Sequence, residues 1–498
     1  MSIFQRLFGA LRGLRLGRTL GLPTALTPRT TGWLSGFCKL AIANTTSNLM
    51  VPLAGLIDTA FLGHLDDIRY LNGVALATVI FNVVYWSFNF FRMGTTGPTA
   101  QAVGRASEGQ PIEGQSVKDQ PMKDRPMKGH VASTAEVWLI VLRNSLLALG
   151  VGMAILLFQA PIAAFGFALL QAGDEVKAAA MDFYSGRIIG APAVLINYVV
   201  LGWLLGRGQG RQVVILAVVG NASNIVLDYL FIRQLGWGSY GAGLATALSQ
   251  YLMLIAGLGL MFVEGIPWQL GALIQSKLWQ PAALKSLFGL NRDILIRTFA
   301  LVMAMSLFTN FSSGLGDTIL GVNTLLLQVV LMAAYFMDGI ALAVESYAGN
   351  FWGQKSAVDL YWLLLFGLIG SVVLGGAIAL ILMLFPIPFF SLLTSHSRLL
   401  NNIPTYVAWL LPVLSLGGIA FTLDGYFLGL TAGRTLRNAT LIAAFAGFLP
   451  LALLASWLNS PNLLWLALTG LMATRAITLL RQVPATLAGE SALGDSGA

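Results

Sequence analysis

The chain has 498 residues, of which 56% are hydrophobic and only 10% carry a charge. Soluble domains carry charge on about a quarter of their residues, so this chain could not cover a water-exposed surface. With a mean hydropathy of +0.77, the composition excludes water-soluble, disordered, coiled-coil and collagen-like proteins. One Cys and three scattered His exclude a disulfide framework and make a structural zinc or haem site unexpected. The composition therefore predicts an all-α polytopic membrane protein.

Twelve apolar stretches are long enough, at about 20 residues each, to cross the hydrocarbon core of a bilayer as helices. A polar segment at 105–134 is rich in Pro, Gly and Gln, and we expect it to be a flexible loop. A second polar segment, 264–293, contains Trp268 and Trp279, and we expect it to form an interfacial linker. In chain order, the predicted spans lie at about 40–64, 71–96, 135–160, 178–204, 211–234, 240–263, 294–316, 321–346, 358–384, 402–431, 436–458 and 461–480.

Lys and Arg residues gather at one end of the predicted spans, which we call the basic face. This face includes the N-terminal tail, the loop 105–134 and the linker 264–293, and we also assign Arg297 and Arg475 to it. The positive-inside rule then predicts that both termini are cytoplasmic. The Arg-rich residues 1–30 leave two readings open, a basic tail at a bacterial inner membrane or an organelle-targeting segment, and we expect the first.

The two halves of the sequence resemble each other. GWLLGRGQGR (202–211) matches GYFLGLTAGR (425–434), and GLIDTAFLG (55–63) matches GLGDTILG (314–321). With six predicted spans in each half, the repeats are parallel, and such two-lobed proteins are typically transporters with a pathway between the lobes.

The fold class that follows is twelve transmembrane helices in two pseudo-symmetric six-helix lobes. The domains are a tail at 1–38, an N-lobe at 39–263, a linker at 264–293, a C-lobe at 294–480 and a tail at 481–498.

Polar residues recur at one depth in the N-lobe. Asp58 in the first span, Asp228 in the fifth and Thr246 in the sixth all fall in the half of the bilayer away from the basic face. Asn221, Asn224 and Asp228 are spaced i, i+3 and i+7, so they share one stripe of a helix. Such a cluster could bind Na⁺ through oxygen atoms, or H⁺ through neighbouring carboxylates. The alternative is a set of hydrogen bonds that join helices within the lobe.

Several long motifs resemble the multidrug and toxic compound extrusion (MATE) family, in particular its DinF-like branch. The resemblance implies a two-lobed exporter that exchanges organic compounds for H⁺ or Na⁺. It also implies that Asp58, Asn224, Asp228 and Thr246 form an N-lobe cation site, with Asn197 in the same network. These motifs are NTTSNLMVPLAGLIDTAFLGHL (44–65), NVVYWSFNFFRMGTTGPTAQAVGR (82–105), NYVVLGWLLGRGQGR (197–211), GNASNIVLDYLFI (220–232), GAGLATALSQY (241–251) and MDGIALAVESYAG (337–349).

Three acids of the C-lobe are candidates for a substrate or ion pathway, namely Asp338 and Glu345 in the eighth span and Asp424 in the tenth. For Asp424 an alternative is open, because an acid near a helix end often pairs with a loop arginine, here Arg434 or Arg437. In the first span, Pro52 lies six residues before Asp58 and can kink the helix, which makes it a candidate hinge.

The sequence contains no phosphate-binding GxxxxGK[ST] motif, so we expect no direct use of ATP and no cofactor beyond the coupling ion. The expected partners are small organic substrates, amphipathic or cationic, and the lipid bilayer. We expect a monomer that binds no nucleic acid. Two alternatives stay open, a lipid-linked precursor flippase of the same superfamily and a membrane-embedded lipid-modifying enzyme, although catalytic motifs for an enzyme are missing from the sequence.

Overall fold

The computed structural model describes residues 32–63, 67–107, 127–170, 172–267 and 270–488, and these ranges are helical apart from short turns. The helices of the first half are α1 (Leu34–Gly63), α2 (Ile68–Phe88), α3 (Phe90–Ala106), α4 (Met127–Leu157), α5 (Gln159–Ala168), α6 (Asp174–Ile188), α7 (Ala191–Gly206), α8 (Gly210–Asp228) and α9 (Gly238–Val263). A short helix, α10 (Leu270–Lys277), follows in the linker.

The second half repeats this order. Its helices are α11 (Pro281–Gly314), α12 (Asp317–Gly353), α13 (Ala357–Leu384), α14 (Pro386–Phe390), α15 (Ser397–Tyr406), α16 (Leu410–Gly429), α17 (Gly433–Ile442), α18 (Leu449–Trp457), α19 (Pro461–Leu480) and α20 (Val483–Leu487). Two π-helical segments interrupt the α-helical geometry, one at Tyr229–Gln234 after α8 and one at Ala443–Phe448 after α17.

The all-α polytopic class is confirmed. Within the described residues, ten helical segments are long and apolar enough to cross a membrane, and the pair α6 and α7, which is bent by 52°, makes up to an eleventh. The bend falls just before Pro192, which cannot donate the backbone hydrogen bond that would continue the helix. Helix α1 is not among these candidates, and its run of polar residues at Asn44–Asn48 lowers its hydropathy.

Two helices extend beyond their predicted spans at the basic face. Helix α11 begins at Pro281, well before the predicted start near 294, and α4 begins at Met127, inside the predicted loop. Residues 108–126 of that loop lie outside the described part of the chain. Hydropathy marks where a helix leaves the hydrocarbon, whereas the helix itself continues into the polar interface, so these ends were not visible in the apolar pattern.

The internal repeat is present in three dimensions. Trp203 near the end of α7 and Tyr426 near the end of α16 occupy matching positions, and both side chains are fully buried. The turns that follow also match, because Gly208 and Thr431 both have a positive φ, 70° and 58°. A β-branched residue rarely adopts this conformation, so the repeat retains the turn geometry even where the residue does not favour it.

The lobes are continuous at the basic face. The buried apolar residues of the described chain form two cores, and one of them runs from the N-lobe into the C-lobe, where Phe91 and Ala102 of α3 join Phe351 of α12. The second core lies within the C-lobe around Phe308 and Trp465, toward the opposite face. Among the described residues, the core that the two lobes share therefore lies toward the basic face.

Small residues allow the close approach of the lobes there. A side chain at Gly104 of α3 would overlap the backbone oxygen of Asn350 in α12, and one at Gly353 would overlap that of Gln101. Gln101 also donates a hydrogen bond of 2.8 Å to the backbone oxygen of Gly429 in α16. This packing closes the basic face between α3 and the helices α12 and α16.

Candidate functional site

Helix α8 carries two buried polar residues on one face. Asn224 and Asp228 are one helical turn apart, with exposed fractions of 4% and 0%. The π-helical segment Tyr229–Gln234 begins directly after Asp228, and such segments are frequent at functional sites because they break the regular hydrogen-bond pattern. Asn221, which was predicted on the same stripe, instead donates to the backbone oxygen of Ala217 at 2.7 Å within its own helix.

The depth of Asp228 relative to α1 follows from the packing of two parallel helices. Gly210, at the start of α8, lies against Leu40 of α1. Because each helix rises 1.5 Å per residue, the stretch from Gly210 to Asp228 is as long as the stretch from Leu40 to position 58. Position 58 is therefore on α1 at the level of Asp228. The side chains of Asp58 and of the candidate hinge Pro52 lie outside the described residues.

The third helix of this region, α9, runs antiparallel to α8. Gly220 of α8 lies against Met253 of α9, so the antiparallel register brings Thr246 close to the level of Asp228. The Thr246 hydroxyl donates to the backbone oxygen of Ala242 at 3.0 Å, which leaves its oxygen lone pairs available as an acceptor.

Asn197 is linked to α9 by a residue that sequence reasoning did not identify. Its side-chain nitrogen donates to Gln250 at both the backbone oxygen, at 2.9 Å, and the side-chain oxygen, at 3.2 Å. The Oδ1 atom of Asn197 and the Nδ2 atom of Asn224 are buried without a hydrogen-bond partner in the described part of the chain. Gln250 follows Thr246 by one helical turn, and that spacing is the sequence signal that could have identified it.

The C-lobe contains a buried ion triad. Asp424 of α16 pairs with both Arg297 of α11 and Arg475 of α19, and the three side chains are between 1% and 7% exposed. The expected partners of Asp424, Arg434 or Arg437, are therefore wrong, and Arg437 instead pairs with Asp293 at 2.7 Å.

Arg297 and Arg475, which the charge count places at the basic face, are not exposed loop residues. Both arginines lie inside the C-lobe, where the turn-by-turn periodicity of α11 and α19 directs them toward α16. A count of charges near span ends could not detect this, because it does not consider which side of a helix a residue occupies.

The remaining C-lobe acids face the N-lobe. Asp338 and Glu345 are two turns apart on α12, and Glu345 is 1% exposed. The charges of Arg92 in α3 and Arg297 in α11 act on both carboxylates. These acids therefore belong to a charge cluster that extends across the interface between the lobes.

Comparisons with known proteins agree with this architecture. A family model described as MatE matches residues 294–467. The DNA damage-inducible protein F of Escherichia coli is 34% identical over 446 residues, which are 88% of this chain and 90% of that protein. A probable multidrug resistance protein NorM of Thermotoga maritima is 23% identical over 83% of this chain and 84% of its own length. An outward-facing multidrug resistance MATE family transporter of the MOP superfamily superposes with a TM-score of 0.78 at 18% identity, covering 94% of this chain and 99% of that one.

Two parallel six-helix lobes that bury ionisable residues define a transporter of the two-lobed, multi-pass membrane class. Within that class, the chain belongs to the multidrug and toxic compound extrusion family, and its DinF-like character is shown by the similarity to DNA damage-inducible protein F.

Proposed function

We propose that this protein is a secondary active antiporter that exports organic compounds in exchange for H⁺ or Na⁺. The observation that carries the proposal is the complete burial of Asp228 beside Asn224 on one face of α8. Placing a carboxylate in the bilayer costs about 2.5–3.5 kcal/mol of insertion free energy. A buried carboxylate such as Asp228 therefore needs a functional role that offsets this cost. Binding of a coupling cation supplies one, and the similarity to a probable multidrug resistance protein of Thermotoga maritima supports organic compounds as the substrates.

The coupling site that we propose consists of Asp58, Asn224, Asp228 and Thr246, with Asn197 positioned by Gln250. If H⁺ is the coupling ion, it is taken up by the carboxylates of Asp58 and Asp228. If Na⁺ is the coupling ion, the oxygen atoms of Asn224 and Thr246 complete its ligands, as a hard cation requires.

The two lobes supply the conformational change. In the described conformation the lobes share a core at the basic face, so the substrate pathway is closed there between α3, α12 and α16. Export requires a second conformation in which this contact opens and an amphipathic or cationic substrate enters between the lobes. The coupling ion drives the exchange only if it binds the two conformations with different affinities.

Further residues take part in this proposal. The electrostatic environment of Asp338 and Glu345 depends on how closely α3, which carries Arg92, approaches them. Asp424 holds α11, α16 and α19 together through its two arginines. Pro52 is our proposed hinge in α1. We further propose that the protein acts as a monomer, without a cofactor, in a bacterial inner membrane with both termini in the cytoplasm.

A lipid-linked precursor flippase is the alternative within the superfamily, and it would need free arginines in the cavity. Arg297 and Arg475 are buried in the C-lobe, but both are paired with Asp424. Their charge is therefore partly neutralised, so these two arginines do not supply the free cations that this alternative needs.

Ethidium efflux from cells tests the proposed site. We expect Asp58→Asn and Asp228→Asn each to abolish efflux while the amount of protein in the membrane stays the same, since neither amide can exchange a proton or bind a cation as a carboxylate does. Asp182→Asn is the matched control, because this acid on α6 is exposed, whereas Asp228 is buried. Wild-type efflux by both site variants would contradict the assignment.

A further inference from the structure

Beside the closed contact of α3 with α12 and α16, a large cleft opens between the lobes at the basic face. Its volume is about 1530 Å³, and its walls come from α3 and α4 of the N-lobe and from α11, α17 and α19 of the C-lobe. Gln101 and Arg143 lie on one side, and Lys285, Asn438 and Arg481 lie on the other. Because both lobes contribute walls, the width of the cleft depends on how the lobes are arranged.

The lining of the cleft is strongly positive. Six cationic side chains face two acids, Glu136 and Asp293, and both acids are already engaged in ion pairs. Lys285 and Arg481 are exposed and form no ion pair within the described ranges. The cations are Arg105, Arg143, Lys285, Arg292, Arg434 and Arg481.

Neighbouring aromatic residues indicate that the cleft lies at the membrane interface. Trp279, just before α11, and Phe288, in its third turn, are 71% and 53% exposed. Exposed aromatic side chains at helix ends are typical of the headgroup region of a bilayer. Lys285 lies between these two residues in the chain, and we expect its ammonium group to be near the depth of lipid phosphates. Ile140, Leu287 and Ile442 provide apolar walls.

Among the residues that the structure describes, the position equivalent to the cleft in the other half is packed differently. The equivalent position, between α1, α12 and α13, is filled by an aromatic cluster in which Trp33 lies 6.0 Å from Tyr347, 5.5 Å from Phe351 and 6.0 Å from Phe366 between ring centroids. The pseudo-symmetry of the fold alone would make the two positions alike. One is closed by aromatic packing and the other is open and cationic, which indicates a site for a ligand.

We propose that the headgroup of an anionic phospholipid binds in this cleft, with its phosphate at Lys285 and Arg481 and its chains along the apolar walls. Basic pockets between membrane helices are known to bind anionic headgroups. A lipid held by both lobes would favour the described conformation over one in which the cleft has another width. This regulatory consequence rests on the proposed transport function, whereas the binding site itself does not.

Native mass spectrometry of the purified protein tests the site, with dioleoyl-phosphatidylglycerol and dioleoyl-phosphatidylcholine as the two probes. We expect selective binding of phosphatidylglycerol. Each cation near a lipid surface contributes about 1 kcal/mol, so the double variant Lys285→Gln and Arg481→Gln is expected to bind roughly 30-fold more weakly. The variant Lys285→Arg and Arg481→Lys keeps both charges and is expected to bind as the wild type does.

The matched control is Arg233→Gln with Arg398→Gln, because these exposed arginines lie on the opposite face, and we expect no change in binding. Equal binding of the two lipids, or unchanged binding after loss of both charges in a variant that elutes as a folded protein, would overturn the proposal. Displacement of the lipid by a comparable concentration of inorganic phosphate would show that the cleft binds a soluble anion, and it would overturn the assignment of a lipid. Asp228→Asn is expected to keep the lipid, so failure of the lipid site and failure of the transport proposal are distinguishable.

Discussion

At the scale of single residues, the C-lobe depends on one carboxylate that pairs with two arginines. The guanidinium of Arg475 also donates from Nε to Asp424 Oδ1 at 3.2 Å, and the triad joins helices α11, α16 and α19. Removal of one partner from a buried ion pair costs about 3–5 kcal/mol, because the remaining charge is left buried without compensation. Asp424 is therefore a residue whose loss affects folding before it affects transport.

We predict that Asp424→Asn lowers the midpoint of thermal unfolding in detergent, since the amide removes the carboxylate that forms ion pairs with both buried guanidinium groups. Asp182→Asn, at an exposed position of α6, is expected to leave the midpoint unchanged. Fluorescence-monitored unfolding of both variants beside the wild type measures the difference. Equal midpoints for Asp424→Asn and the wild type would show that the triad contributes nothing to stability.

Residues within one helix were easier to predict than their partners on other helices. The spacing of Asn224 and Asp228 places them on one face of α8, and both side chains are buried. The partner of Asn197 is Gln250, and the partners of Asp424 lie far along the chain in α11 and α19. Such pairs depend on which helices become neighbours, and hydropathy carries no information about that choice.

At the scale of helices, helical structure lies at each predicted span, but the apolar pattern did not locate the ends of the helices. Helix α11 begins at Pro281, and its first turns lie outside the apolar stretch. The same pattern could not show that Thr431 has a positive φ. The sequence repeat pairs Thr431 with Gly208, and the matching turn, rather than local preference, determines the backbone there.

Close helix contacts at the basic face provide a second prediction. Gly104→Val places a side chain against the backbone of Asn350, and overpacking of this kind costs about 1–3 kcal/mol. We expect the contact between α3 and α12 to open, so that amide hydrogen exchange near the ends of both helices becomes roughly tenfold faster. Hydrogen-exchange mass spectrometry of the purified protein measures this change.

Gly150→Val is the matched control, because no atom lies within contact distance of a side chain added at Gly150. We expect its exchange rates at α3 and α12 to equal those of the wild type. Unchanged exchange in Gly104→Val would show that the basic face is not closed by this contact.

At the scale of the whole molecule, the two lobes share a core at the basic face, and a second core lies within the C-lobe. Sequence symmetry predicted the two lobes, since six spans in each half require parallel repeats. It could not predict which contacts are asymmetric, such as the aromatic cluster around Trp33 and the cationic cleft near Lys285. These asymmetric contacts arise from side chains that the repeat does not share.

Transport into proteoliposomes tests the central claim most directly. The purified protein is reconstituted, a pH gradient or a Na⁺ gradient is imposed, and ethidium movement is followed by fluorescence. We predict that one of the two gradients drives ethidium transport by the wild type and by Asp182→Asn, and that Asp228→Asn transports under neither, since it lacks the buried carboxylate that binds the ion. Ethidium transport by Asp228→Asn at the wild-type rate under the same gradient would contradict the account.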